Sequence, residues 1–191
     1  DEIGGWGVWA SDLIAELRQI SASRIDVRLN SPGGDVFDGI AIMNALRNHP
    51  ATVTTYVDAL AASAASFIAV GASDRVIMEP QSMMMIHDAH GIAMGNAAEM
   101  AAMANLMDLI SDNIAEVYAG KAGGKTAEWR DLMRAEQWYT AGEAVTAGLA
   151  DESSKTGHPQ EPDDGGPAPE DDVTDRWVFS TWKYPSRDAA P

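Results

Sequence analysis

Apolar residues recur with a period of two and then of about 3.6, in alternation, along the first 152 residues of this chain, and no other feature restricts its fold as strongly. Ile25-Asp26-Val27-Arg28-Leu29 alternates apolar with polar, the pattern of a half-buried strand. Val53-Thr54-Thr55-Tyr56-Val57 is β-branched and aromatic and reads as a second strand. Arg75–Met78 and Met83–Ile86 read as short strands on either side of Pro80. Helical stretches fall between and around them. The first is capped by Ser11 and carries Leu13, Ile14, Leu17 and Ile20. The second runs from Val36 to Arg47 and is stopped by Pro50. A small-residue helix is predicted over 61–72, a long one over about 96–119, a shorter one after Thr126, and a last one over 141–147 closed by Gly148. Leu149-Ala150 opens a terminal strand. Repeated strand-helix units imply an α/β fold with largely parallel strands.

The composition changes after Asp151. Residues 153–175 are rich in Pro, Gly, Asp and Glu and nearly devoid of large apolar side chains, so they cannot bury enough surface to offset the entropy of ordering. The organisation expected is one domain over 1–152, a disordered linker over 153–175, and a short aromatic segment over 176–191 with Trp177, Phe179, Trp182 and Tyr184. That segment suits a docking peptide or a strand folding back on the domain.

Of the 191 residues, 13 are Lys or Arg against 29 Asp or Glu, a formal charge of -16, which argues against a nucleic-acid partner because phosphate binding draws on cations. The absence of cysteine excludes a thiol nucleophile, disulfides and Cys-based metal sites, and fits a reducing, cytoplasmic setting. No apolar run approaches the ~20 residues of a membrane span. The N-terminus lacks the basic start and apolar core of a signal peptide, and with no initiator Met it reads as a trimmed fragment.

Three short stretches carry chemistry. Asn30-Ser31-Pro32-Gly33-Gly34 lies between a predicted strand and a predicted helix; adjacent glycines there let backbone N–H groups face outward and stabilise a developing oxyanion. Ala61-Ala62-Ser63-Ala64-Ala65-Ser66 also follows a strand and opens a helix, with neighbours small enough for a substrate backbone to approach Ser63; the Ala64 N–H, next to it, is a second oxyanion donor. His87 ends the apolar run Met83-Met84-Met85-Ile86, where a buried strand holds an imidazole at its edge. His90 is its nearest competitor, His49 precedes Pro50, and His158 lies in the tail. His87 and His90 have no third ligand at metal-binding spacing.

In this order and spacing the three stretches resemble the Clp protease proteolytic subunit, and more closely its relatives, the phage and prophage head-maturation proteases. The stretches 33–39, 61–66 and 143–151 are typical of that group, and the resemblance covers about residues 3–152. It implies a ClpP/crotonase-like superfold of repeated ββα units with a projecting handle helix, here the long helix near 96–119. It also implies a serine endopeptidase in which Ser63 is the nucleophile, His87 the general base, and Gly33, Gly34 and Ala64 the oxyanion hole. The family's acid precedes an aromatic-aliphatic-Ser/Thr-Ala stretch by two residues. Here that stretch is Trp138-Tyr139-Thr140-Ala141 and the matching position is Glu136, with Asp131 as the alternative. No metal or other cofactor is required. The partners implied are a polypeptide substrate, such as a capsid or scaffold protein, and further copies of the chain in a ring; whether an ATP-dependent unfoldase takes part is left open. Two rival readings are a non-catalytic pseudo-peptidase acting as an assembly scaffold, and a crotonase-type acyl-CoA enzyme. The pairing of Ser63 with His87 and the acidity of the chain argue against the second.

Overall fold

The computed structural model describes residues 1–5 and 7–154; all but the first two residues of the expected linker, and the whole aromatic segment, lie outside the described residues. The elements follow one another as α1 Ala10–Leu17, β1 Arg24–Ser31, α2 Val36–Arg47, β2 Thr52–Ala62, α3 Ala64–Ala72, β3 Arg75–Met78, β4 Met83–Ile86, α4 Ala97–Ala122, α5 Thr126–Arg134, β5 Gln137–Thr140, α6 Ala141–Thr146 and β6 Glu152–Ser153.

The sheet is built around β2. β1 runs parallel to it on one side, from Arg24 opposite Thr52 to Ser31 opposite Ala61, with a bulge after Leu29. The other side of β2 is shared: β3 pairs with Thr54–Val57 and β4 with Leu60–Ala62, both parallel. A turn joins the two, with Pro80 at its second position, Gln81 at φ 64° in its third, and Ser82 N–H donating to the Glu79 carbonyl at 3.0 Å. That is the arrangement of a type II turn. It makes β3 and β4 one interrupted strand, free to take different outer neighbours: β6 parallel to β3, and β5 antiparallel to β4.

The expected α/β architecture is therefore present, and α2, β3 and β4 have the predicted bounds. Three local expectations are corrected. Ser11 does not cap α1; Trp9 holds the cap position, and the Ser11 hydroxyl donates to Asp12 Oδ1. Ala61 and Ala62 belong to β2, because pairing with Met84 and Met85 outweighs the helical preference of alanine. The last strand begins at Glu152, after Leu149 and Ala150 have been buried in the core.

Val57, Met78, Met84, Ile86, Tyr118, Met133 and Leu149 lie in one apolar core between the sheet and the helices. Only the second half of the 26-residue α4 joins it, through Ile114, Ala115 and Tyr118. At about 1.5 Å per residue the helix is about 39 Å long, and its first half leaves Met100, Met103, Leu106 and Leu109 exposed. Asn96 starts it by accepting from the Ala98 and Glu99 N–H groups, while Glu99 accepts from Asn96 N–H.

Candidate active site

The row of strands β1–β2–β4–β5 brings the expected site residues to one end of the sheet. β1, β2 and β4 are parallel, so their carboxyl ends finish side by side, where α/β proteins place their ligand sites. Gly33 and Gly34 follow β1, Ser63 follows β2, and His87 follows β4. β5 runs the opposite way, so its beginning lies at that same end. The ladder ends with Ile86 opposite Gln137, so His87 and Glu136 are the residues just beyond it, and the Glu136 charge acts on the imidazole.

Ser63 sits between strand and helix at φ 53°, ψ −124°. A non-glycine residue held there costs on the order of 1–3 kcal/mol and persists only where its surroundings over-determine it. Here they do. Ser63 N–H donates to the Met85 carbonyl at 3.0 Å. The Ser63 carbonyl accepts from the Ser66 N–H at 3.0 Å and from the Ser66 hydroxyl at 2.6 Å. Ser66 Oγ in turn lies 2.8 Å from the Tyr118 hydroxyl of α4, and both residues are buried. Burial, the larger influence, drives the Tyr118 phenol well above its ordinary value, so it is a neutral hydrogen-bonding group. Ser66 is thus a tether for the turn, fully enclosed, and not exposed to a substrate.

His87 Nε2 lies 2.7 Å from Ser63 Oγ. Burial lowers the imidazole below its usual value, and the neighbouring His90 ring, with centroids 4.9 Å apart, acts in the same direction; Glu136 and then Asp88 oppose them. The imidazole is therefore kept neutral and ready to accept a proton. Glu136, itself at φ 51°, is exposed, and its Oε1 accepts from the Trp138 indole N–H at 3.4 Å. Asp131 stands on the exposed face of α5 in an ion pair with Arg134 and is not among the charges acting on His87.

The glycine pair is required by close approach on both sides. A Cβ on Gly33, whose φ is 97°, would stand 2.6 Å from Ser63 Cβ and 2.8 Å from Ala64 N; one on Gly34 would stand 2.1 Å from the Ile3 carbonyl oxygen. Ile3 pairs with this turn, its N–H donating to the Gly33 carbonyl and its carbonyl accepting from Asp35 N–H, each at 2.8 Å. That pairing uses neither the N–H nor the carbonyl of Gly34. The Gly33 N–H donates to Ser31 Oγ at 3.1 Å. Ala64 is the first residue of α3, where helical geometry leaves the N–H without a partner in the helix. Among the described residues no group of three or more His, Asp or Glu is placed to hold a metal ion.

Three residues that touch this region carried no sequence signal: Arg130, whose charge is buried behind Asp88, Tyr118, and Ser111, which accepts from Ala89 N–H at 2.9 Å. Each is isolated in sequence from the stretch it supports, and only tertiary packing joins them.

The mixed α/β fold is consistent with the ClpP/crotonase fold, and the serine and histidine in hydrogen-bond contact beside a Gly-Gly turn suit its peptidase branch. The Clp protease family model matches residues 8–156, and the chain belongs to that family. It is 34% identical over 126 residues to an ATP-dependent Clp protease proteolytic subunit of Pleurastrum terricola, covering 65% of this chain and 64% of the relative. It is 32% identical over 127 residues to the same-named protein of Chlorella vulgaris, covering 66% and 63%. With ATP-dependent Clp protease proteolytic subunit 1 of Corynebacterium jeikeium the identity is 29% over 147 residues, covering 74% and 78%. The chain spans a little under two thirds of the length of the first two relatives.

Proposed function

We propose that the protein is a serine endopeptidase with Ser63 as nucleophile, His87 as general base and Glu136 as the acid behind it. The observation that carries this reading is the 2.7 Å contact between His87 Nε2 and Ser63 Oγ, made at a strained strand-to-helix turn whose next N–H points from a helix start. In the reaction the imidazole accepts the hydroxyl proton as Oγ attacks a peptide carbonyl. The oxyanion is held by the Ala64 N–H and by a second N–H from the glycine turn. Gly34 has its N–H ready, whereas Gly33 would first give up Ser31. The imidazolium then protonates the leaving amine, and water, deprotonated by the same imidazole, releases the acyl-enzyme.

An extended substrate fits beside the glycine turn on the edge that Ile3 leaves open, adding a strand through Gly34. The relatives are named as subunits of an ATP-dependent protease. By likeness this chain assembles with copies of itself in a ring, through the exposed half of α4, and receives polypeptide from an ATP-driven partner. The stretches 33–39, 61–66 and 143–151 support a narrower reading, cleavage of a capsid or scaffold protein during phage head maturation.

The test is cleavage of an unfolded polypeptide such as casein. The protein should fragment it, Ser63→Ala should not, and Glu136→Gln should lower kcat with little change in KM, since a carboxylate behind the imidazole counts most when charge develops. A chain that assembles but cleaves nothing, with or without an ATPase, would be the non-catalytic scaffold instead.

A further inference from the structure

Arg130 on α5 is 3% exposed. A guanidinium withdrawn from water to that degree costs several kcal/mol unless its charge and donors are met. Its Nη1 donates to the Asp108 carbonyl at 2.9 Å and to Asp112 Oδ1 at 2.6 Å; its Nη2 donates to Asp108 Oδ1 at 3.0 Å and to Asp88 Oδ2 at 3.1 Å. Asp108 and Asp112 lie one turn apart on α4. Asp88 comes from a different part of the chain: it directly follows His87, where the β4 ladder has already ended at Ile86. The next residue is tied down as well, Ala89 N–H donating to Ser111 Oγ, which donates to the Met107 carbonyl at 2.8 Å. Residues 87–96 have no helix or strand of their own. The segment that carries the imidazole is therefore held by α4, directly at Ala89 and through Arg130 at Asp88. Asp88 Oδ1 and Arg130 Nε are buried without a partner among the described residues.

We propose that Arg130 is a positioning residue for His87: by holding Asp88 to α4 it fixes the backbone just beyond the imidazole and so the approach of Nε2 to Ser63. This rests on the serine-peptidase reading for its consequence in catalysis, though not for its geometry. An arginine is needed because one planar fork must serve acceptors on two separate elements; a lysine supplies the charge without the fork. The charged groups facing His87 are His90, Glu136 and Asp88, with Arg130, Asp108 and Asp112 behind Asp88. Removing the cation leaves three carboxylates uncompensated and favours the imidazolium. Removing the Asp88 charge disfavours it. The two changes must therefore move His87 in opposite directions, which simple loss of structure would not do.

The experiment uses the full chain with labelled histidine. It follows the His87 imidazole by NMR titration, assigned with His87→Gln, and the rate of covalent labelling by a fluorophosphonate probe. Arg130→Met should raise the His87 midpoint and Asp88→Asn should lower it. Arg130→Lys should leave the midpoint near that of the parent yet slow labelling about 10-fold or more, the effect of a small displacement of a catalytic group. Asp88→Asn combined with Arg130→Lys should label no more slowly than the slower single variant, since both act through one contact. If Arg130→Met does not fold, Asp88→Asn, whose side chain is 30% exposed, still decides the matter. An unchanged His87 midpoint together with parental labelling in Asp88→Asn overturns the proposal. A parent protein that takes no label overturns the peptidase reading instead, and the titrations still judge the positioning.

Discussion

At the scale of single residues, the pair Ser63 and His87 is set by two kinds of constraint. Ser63 is held by backbone and by the Ser66 tether; the charge state of His87 is set by burial and by its neighbours' charges. The first gives a stability prediction. Ser66→Ala leaves the buried Tyr118 hydroxyl without its partner, a loss of about 1–3 kcal/mol, and should lower the urea midpoint while the nucleophile remains reactive. The second gives a pH prediction. The reacting form has a neutral imidazole, and burial with His90 lowers its pKa, so the rate should rise with pH through a midpoint below the ~6.5 of a free histidine. His90→Ala removes a like charge; the imidazolium becomes less disfavoured and the midpoint moves up. A pH-rate profile in which His90→Ala moves the midpoint down would show that His90 does not act on His87 as a charge. His87 was legible in the sequence because it closes an apolar strand, and Ser63 because its small-residue stretch follows a strand in the order and spacing that the family resemblance implies. Ser66 stands in the sequence only as the last residue of that small-residue stretch, since its bond to Tyr118 spans 52 positions.

At the scale of elements, α2, β3 and β4 were legible from periodicity and breakers, whereas β5 was not read as a strand. Its Gln137-Trp138-Tyr139-Thr140 is short and becomes a strand by pairing with β4, which also leaves Glu136 just beyond the ladder at the end where His87 lies. The carboxyl end of β2 was read as helix for the same reason in reverse: local alanine preference lost to tertiary pairing. In α4 the sequence could not say whether its methionines face a core or a partner. The fold buries only the second half, leaving Met103 36% and Leu106 43% exposed within one chain. Flexible methionines suit an adaptable contact surface. Replacing Met103 and Leu106 together with Glu should dissociate the proposed ring in analytical ultracentrifugation, and an unchanged oligomer mass would remove α4 from the proposed contact.

At the scale of the whole molecule, one sheet end collects chemistry from four neighbouring strands, and α4 supports it from behind through Tyr118 and Ser111, and through Asp108 and Asp112 by way of Arg130. The alternation of strands and helices along the chain was enough to anticipate the α/β architecture, and the order of the three motifs carried the family resemblance that implied the finer fold. The supporting residues were not anticipated, because a buried polar cluster has no period to detect. The proposed chemistry stands or falls with Ser63 as a nucleophile activated by His87. Incubation of the intact protein with a fluorophosphonate probe, followed by peptide mass spectrometry, measures it directly. One adduct is expected, on Ser63, absent from Ser63→Ala and strongly slowed in His87→Ala but not in His90→Ala. An adduct on Ser66, or no adduct on a folded and assembled protein, would contradict it.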